Sequence, residues 1–179
     1  MNDQWIAPGE QFGQLFSAAR SSAWRWECQT IYRSASEVEP LQRWRDGQPD
    51  DLEWMSSWLE MIRRAAQKGR RFGRVRVFPE PPTEYLRWQS QVTTPHNIAA
   101  GEGIRVITQR RARELDLPAD DFWIFDDERV AWLHFAEDRT LTGATLTDDR
   151  ATVSRCCSWR EVAIRHAVPF EDNALLRST

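Results

Sequence analysis

Apolar residues in this chain switch repeatedly between two spacings, and that switch limits the folds open to it. Leu52, Met55, Leu59, Ile62 and Ala66 advance in steps of three and four, which places them along one side of an α-helix. From Trp24 to Thr30 the step is two. Trp24, Trp26, Cys28 and Thr30 share one side and Arg25, Glu27 and Gln29 the other, as in a half-buried strand. A chain that mixes the two periods in this way folds as an α/β (α+β) domain, a mixed central sheet flanked by helices.

The remaining segments extend the pattern. Residues 1–10 read as a loose lead-in, and Phe12, Leu15, Phe16 and Ala19 predict a short helix over 11–20. Residues 37–46 predict another, ended by Gly47 and Pro49. The helix through Leu59 is expected to start on Asp50 as its N-cap and to stop at Gly69. Phe72–Phe78 reads as a strand, Thr83 opens a helix through Trp88, and Ile104–Thr108 reads as a strand followed by a basic helical turn over Arg110–Leu115. Phe122–Phe125 and Val130–Phe135 predict a hairpin across the acidic turn 126–129, with a further strand over Leu141–Leu146. A final helix is expected from Asp148 or Asp149 to Ala167, since Pro169 forbids continuation. The whole, 1–179, is expected to be one domain. Its part over 11–70 reads as mostly helical, its part over 71–170 as sheet-containing, and the prolines at 79–82 as the one plausible linker.

Composition narrows the class. A length of 179 residues suits one core, and 41% apolar with 28% charged residues is an ordinary globular balance. The net charge of −3 does not favour nucleic acid as a partner, although a local basic patch is compatible with it. Cys28, Cys156 and Cys157 are odd in number, and two are adjacent, so reduced thiols in a cytoplasmic protein are expected rather than a disulfide framework. No secretion signal or membrane span is read, and no metal or cofactor motif. The ten tryptophans are unusual. Trp is seldom fully buried, so Trp54, Trp58 and Trp88 are expected to give a Trp-rich surface.

Three groups of side chains are chemical candidates. Asp116, Asp120, Asp121, Asp126, Asp127 and Glu128 surround the strand 122–125. Asp121 and Asp126 with His134 would form an acid–base or cation-holding set if they converged in one cleft. Against that stands a solvated loop and turn, with His134 a hydrogen-bonded structural residue. Arg74 and Arg76 share one side of their strand and, with Trp54, Trp58, Trp88 and Trp123, are candidate binding residues for phosphate or a stacked ring. Solvated faces and arginine–carboxylate pairs are the simpler reading. Cys156 and Cys157 point about 100° apart on a helix and read as packing residues. No phosphate-cradling loop and no GxSxG elbow occurs.

Several stretches carry a resemblance. Gln48–Met55, Arg70–Val77, Gly101–Val106, Asp121–Asp126 and Trp159–Pro169 resemble an actinobacterial domain-of-unknown-function family, number 6879, over about 15–170. That likeness implies a gene neighbourhood with helix-turn-helix regulators, and so a regulatory or toxin–antitoxin-like protein partner. The second half also resembles one half of a phospholipase D-like domain. Asp126 matches the last residue of that family's His-x-Lys-x4-Asp motif, but Ala119 stands at the histidine and Asp121 at the lysine. The resemblance thus implies the topology without the nucleophile, and fold does not carry function with it.

The sequence therefore points to a non-catalytic regulatory protein that holds a protein partner through Trp and Arg, the residue types that dominate binding hot spots. Two alternatives stay open: a hydrolase or nuclease using the acidic cluster, and a binder of a small metabolite or nucleotide in a Trp-lined pocket.

Overall fold

The computed structural model describes residues 3–173; residues 1, 2 and 174–179 of the expected 1–179 domain lie outside it. In chain order the elements are β1 (Gln4–Ile6), α1 (Glu10–Ala18), β2 (Ser22–Glu27), α2 (Val38–Arg45), α3 (Ser56–Gln67), β3 (Arg71–Phe78), α4 (Glu84–Gln91) and α5 (Thr94–Ala100). They continue with β4 (Gly103–Thr108), α6 (Gln109–Glu114), β5 (Phe122–Phe125), β6 (Arg129–Phe135), β7 (Leu141–Thr147), α7 (Arg150–His166) and β8 (Val168–Pro169).

The strands form one mixed sheet of eight in the order β1-β7-β6-β5-β2-β3-β4-β8. β2, β3 and β4 run parallel; the neighbours on either side run antiparallel. Helices cover both faces, as mixed periodicity requires. On one face Ala23, Phe72, Trp123, Phe125, Ala131 and Leu133 meet Leu15 and Phe16 of α1 and Leu59, Ile62 and Ala65 of α3. On the other, Trp26, Val75, Phe122, Ile124 and Val130 meet Val153, Cys156 and Ala163 of α7. Each fully buried aliphatic or Phe side chain contributes about 1.5–3 kcal/mol by leaving water.

Local signals set the ends of elements. Thr83 Oγ1 accepts from the Leu86 N–H (3.2 Å) and Asp149 Oδ2 from the Thr152 N–H (2.9 Å), capping α4 and α7. Gly69, at φ 72°, ends α3 as expected. In the β5–β6 hairpin Asp126 and Asp127 both take positive φ, 56° and 59°, which Asp tolerates better than most residues.

Three expectations are corrected. Asp50 does not start α3. Its Oδ1 accepts from the Leu52 N–H at 2.7 Å and the Trp54 indole at 3.2 Å, so it closes a local turn and the helix begins at Ser56. Part of the lead-in is ordered: Gln4–Ile6 pairs with β7 because Ile6 drops into the core, and a strand of three residues is too short to show a period. The part over 11–70 holds α1, α2 and α3 with the one strand β2, which lies between β5 and β3 in the middle of the sheet. β2 is also buried on both sides rather than half-buried, with Trp24 and Trp26 in apolar surroundings and Glu27 in polar ones. α5 has no counterpart among the sequence expectations. It buries Thr94, Asn97 and Ala100, a pattern with little apolar signal.

The edge pairing of β1 makes a test. A Cβ on Gly143 would collide with the Trp5 ring and lie 2.8 Å from the Ile6 carbonyl oxygen. Gly143→Ala is expected to detach β1 and destabilise the fold by about 1–3 kcal/mol. Faster amide exchange confined to residues 4–6 and 143–146 would be the signature.

Candidate functional site

Within the helix-covered face that carries Arg74, the sheet changes character. Arg25, Glu27, Arg74 and Arg76 occupy consecutive inward positions on β2 and β3, where their registers pair Arg25 with Arg74 and Glu27 with Arg76. Glu27 is the hub. Its Oε2 accepts from Arg74 Nη1 (2.7 Å) and its Oε1 from Arg76 Nε (2.8 Å), with Arg25 Nη1 at 3.6 Å. Arg74 Nε also donates to Glu102 (2.7 Å), Arg76 Nη1 to Thr94 Oγ1 (2.8 Å), and Arg25 Nη2 to Asp121 (2.9 Å). Burial by itself would raise the Glu27 carboxyl; Arg76, Arg25 and Arg74 outweigh it and hold the group well below the ordinary carboxylate range. Arg25 is correspondingly held as a cation: burial works against its charge, and Glu27, Tyr32 and Asp121 overcome it.

Asp121 ties this floor to the segment that follows β2. It accepts from the backbone N–H groups of Cys28 (2.9 Å) and Gln29 (3.2 Å) and from the Tyr32 hydroxyl (2.6 Å). Burial, then the Asp121 charge, pushes the Tyr32 phenol up, so it stays a donor. Residues 28–37 thereby form a strap across the floor. Its far side is held where the Arg33 N–H donates to the Arg139 carbonyl (3.0 Å) and Arg139 Nη1 to Gln29 Oε1 (2.7 Å). At the end of the strap Glu37 accepts from the Tyr85 hydroxyl (2.8 Å); burial raises its carboxyl and the Tyr85 hydrogen bond opposes that rise.

Between floor, strap and helices lies a cavity of about 750 Å³. That is within the range of small-ligand sites, roughly 300–1,000 Å³. Arg25, Glu27, Arg74 and Arg76 form one side, and Phe12, Tyr32, Trp54, Trp58, Tyr85 and Trp123 are among the residues that wall it. The indole N–H groups of Trp54 and Trp58 are engaged by Asp50 (3.2 Å) and Asn97 (3.1 Å). Arg25 lies 5.1 Å from the Tyr32 ring centre, and Arg25 and Arg74 each lie 5.9 Å from that of Trp123. Such contacts fix the guanidiniums against aromatic faces.

The structure brings together the residues named as binding candidates, though not on the outer surface. Trp54, Trp58, Arg74, Arg76 and Trp123 all line the cavity. Trp88 is wholly buried behind it, stacked on Trp54 with ring centres 6.0 Å apart. Trp54 and Trp58 are half-exposed, as expected, and line the cavity; Trp88 is corrected to a buried residue, and the solvated arginine face to a buried network built of the expected arginine–carboxylate pairs. Both follow from the covering helices. Arg25, Glu27, Tyr32 and Gln89 were not singled out. The alternation of Arg25 and Glu27 on β2 was the available signal, and it is also what an exposed strand face looks like.

The acid–base set does not converge. The Asp121 carbonyl accepts from the Leu133 N–H (2.9 Å), so Asp121 shares a face with Leu133, and His134, one residue on, lies on the other face. There His134 stacks on Trp5 and bonds Thr145 Oγ1 at 2.8 Å. Asp126 sits at the opposite end of β5 from Asp121. Among the described residues no cluster of three or more His, Cys, Asp or Glu is arranged to hold a metal ion, and no helix is long and apolar enough to cross a membrane.

Comparison with known proteins adds the family. The model of a domain of unknown function, DUF6879, matches residues 10–174. This chain belongs to that family. No curated protein matches the sequence. Among solved structures, the DUF6879 chain is similar to TrmBL2, described as an archaeal chromatin protein with a novel mode of DNA binding, at TM-score 0.54 and 9% identity. That match covers 94% of this chain and 55% of TrmBL2, so the chain spans about half the length of that protein. NucT from Helicobacter pylori matches at TM-score 0.54 and 12% identity, over 94% of this chain and 98% of NucT. Nuc from Salmonella typhimurium, a phospholipase D family member, matches at 0.50 and 10%, over 94% and 97%. At these identities the likeness shows the phospholipase D-like fold and nothing further.

In this DUF6879 chain Asp121 and Asp126 each have a structural task. Asp121 is the strap's anchor. Asp126 gathers the start of β2, accepting from the N–H groups of Arg20 (2.8 Å), Ser21 (2.7 Å) and Ser22 (3.0 Å). Burial would raise its carboxyl, but these backbone donors lower it to about 2. A folded-state value below the unfolded one gives stability that is complete above about pH 4 and lost as pH falls from there toward 2. Asp126→Ala is expected to cost about 1–3 kcal/mol at neutral pH. It should also flatten the acid side of the stability profile, read as urea midpoints between pH 2 and 6.

Proposed function

We propose that the protein is a non-catalytic receptor for a small molecule, and that it passes the bound state to a protein partner. The observation that carries this reading is the cavity itself: a concave, partly open space whose floor is a preorganised arginine–carboxylate network and whose walls are largely aromatic. Few polar groups placed among apolar walls is the usual make-up of a ligand site. None of His96, His134, His166, Cys28, Cys156 or Cys157 is among its lining residues. That supports binding over bond cleavage, as do Ala119 and Asp121 at the motif positions. The partner is proposed to be a helix-turn-helix regulator, on the family resemblance, and the compartment to be the cytoplasm. A hydrolase or nuclease reading has the fold likeness to NucT and Nuc behind it, but it needs Asp121 and His134 on one face.

The test is a thermal-shift screen of a broad metabolite library against the full chain. A ligand at 100 times its dissociation constant adds about 2.7 kcal/mol of stability, which raises Tm by several degrees. At least one compound class is expected to do so, and Trp58→Ala to abolish the shift. A library that leaves Tm unmoved would sink the receptor reading.

A further inference from the structure

The charged groups that line the cavity are not in balance. Arg25, Arg33, Arg74, Arg76 and Arg139 stand there against Glu27 and Glu37. Three of these arginines are matched within the floor: Arg25 by Asp121, Arg74 by Glu102 and Glu27, and Arg76 by Glu27. Asp121 and Glu102 act from behind, outside the lining. The excess therefore lies with Arg33 and Arg139, both exposed and so at the rim. Glu37, the lining carboxylate outside the floor, accepts from the Tyr85 hydroxyl (2.8 Å), and burial works against its charge.

The two rim arginines are neighbours, since the Arg33 N–H donates to the Arg139 carbonyl (3.0 Å). Among the described residues neither forms an ion pair. Arg139 gives one side-chain N–H to Gln29 Oε1 (2.7 Å), a neutral acceptor. Asp138, whose charge reaches Arg33, is engaged by the Thr140 N–H and hydroxyl, each at 3.0 Å, and does not line the cavity. A guanidinium has five N–H donors, so most of those on this pair have no protein acceptor. Arg139 is also strained. Its φ of 73° is left-handed, in the turn between β6 and β7, where glycine or asparagine fits better than arginine. Strain of this kind beside a cavity points to a task for the side chain.

We propose that the cavity binds a planar ring carrying a phosphate monoester, as in a mononucleotide, with the phosphate held at the rim by Arg33 and Arg139 and the ring against the aromatic walls. The inference rests on the receptor reading and narrows it. A monoester carries about two negative charges at neutral pH, which two guanidiniums match, and their planar forks suit phosphate oxygens. Phe12, Tyr32, Trp54 and Trp58 are half-buried lining residues, so their rings are within reach of a ligand. The engaged indoles of Trp54 and Trp58 present flat apolar surface for stacking.

Calorimetric titration of the full chain tests it. The probes are adenosine, guanosine and uridine 5′-monophosphates and flavin mononucleotide. They are set against their dephosphorylated forms, ribose 5-phosphate, inorganic phosphate and a 5′-phosphorylated single-stranded tetranucleotide. At least one monophosphate is expected to bind about tenfold or more tighter than its dephosphorylated form and than ribose 5-phosphate. Arg33→Gln and Arg139→Asn should each weaken that binding about tenfold and flatten its decline with added salt. Arg139→Asn should leave the free protein at least as stable, because asparagine accepts the left-handed backbone more readily. If that variant folds poorly, Arg33→Gln decides alone. Several results would overturn the proposal: equal binding without the phosphate, equal binding of ribose 5-phosphate or inorganic phosphate, tighter binding of the tetranucleotide, or unchanged affinity in Arg33→Gln. Failure of all four monophosphates would overturn it too. If the library screen then still yields a ligand of another class, the receptor reading survives; if it yields none, both fall.

Discussion

Glu27→Gln is expected to destabilise the protein by about 3–5 kcal/mol, enough to unfold a large fraction of a marginally stable domain. The substitution keeps the side chain's size and removes one negative charge from the middle of Arg25, Arg74 and Arg76. The floor then holds one uncompensated cation in a region where Glu27 and Arg76 are each about 1% exposed. Removing one partner of a buried ion pair is far more costly than replacing both. Glu27→Gln combined with Arg76→Met should therefore be more stable than the sum of the single changes predicts, by about 1–3 kcal/mol. The pH dependence has a definite sign. Glu27 titrates well below its unfolded value, so its contribution is complete above about pH 4.5 and fades as pH falls. The stability gap between native protein and Glu27→Gln should narrow on acidification. Urea midpoints at pH 7 and pH 4 read both effects, and a variant within about 1 kcal/mol of the native protein would refute the idea that Glu27 is the hub.

Asp121→Asn is expected to cost about 2–4 kcal/mol and to loosen the strap before the rest of the fold opens. The carboxylate faces donors throughout: Arg25, the N–H groups of Cys28 and Gln29, and the Tyr32 hydroxyl. An amide turns one of its two acceptor oxygens into a donor, so at least one buried donor is left facing another donor. Because Tyr32 walls the cavity, the same change should weaken any bound ligand. Limited proteolysis with a fluorescence readout separates the two effects. Faster cleavage within 28–37, with β2 and β5 still protected, is the expected pattern; cleavage spread evenly along the chain would count against a strap anchored on Asp121.

Much of the architecture was legible because the relevant signals are local. The stripe through Leu59 and Ile62, the alternation in 72–78, the acidic hairpin turn and the caps at Thr83 and Asp149 each act over a few residues, and each lies where the structure puts that element, although Ala65 and not the expected Ala66 continues the buried stripe. The family was legible for the same reason, since its motifs are short stretches within residues 10–174. Short elements escaped. β1 and α5 have three and seven residues, too few for a period, and what holds them is a neighbour: Ala144 opposite Ile6, and Trp58 bonded to Asn97.

The sequence on its own was enough to place the longer strands and helices, and to put Arg74 with Arg76, like Arg25 with Glu27, on one side of a strand. Which side of the sheet would face helices, and which water, depended on residues far along the chain. Glu27 meets Arg76 across 49 positions, and Asp121 meets Arg25 across 96. An alternating charged row reads the same whether it is solvated or closed in. Only the layer of α1, α3 and α4 above it, with the strap drawn across by Asp121, turned a row of charges into the floor of a cavity. The β5–β6 hairpin pairing put His134 on the reverse of the sheet from Asp121. The strand period of two guarantees that some residues separate in this way, but only the register of β6 against β5 decides which.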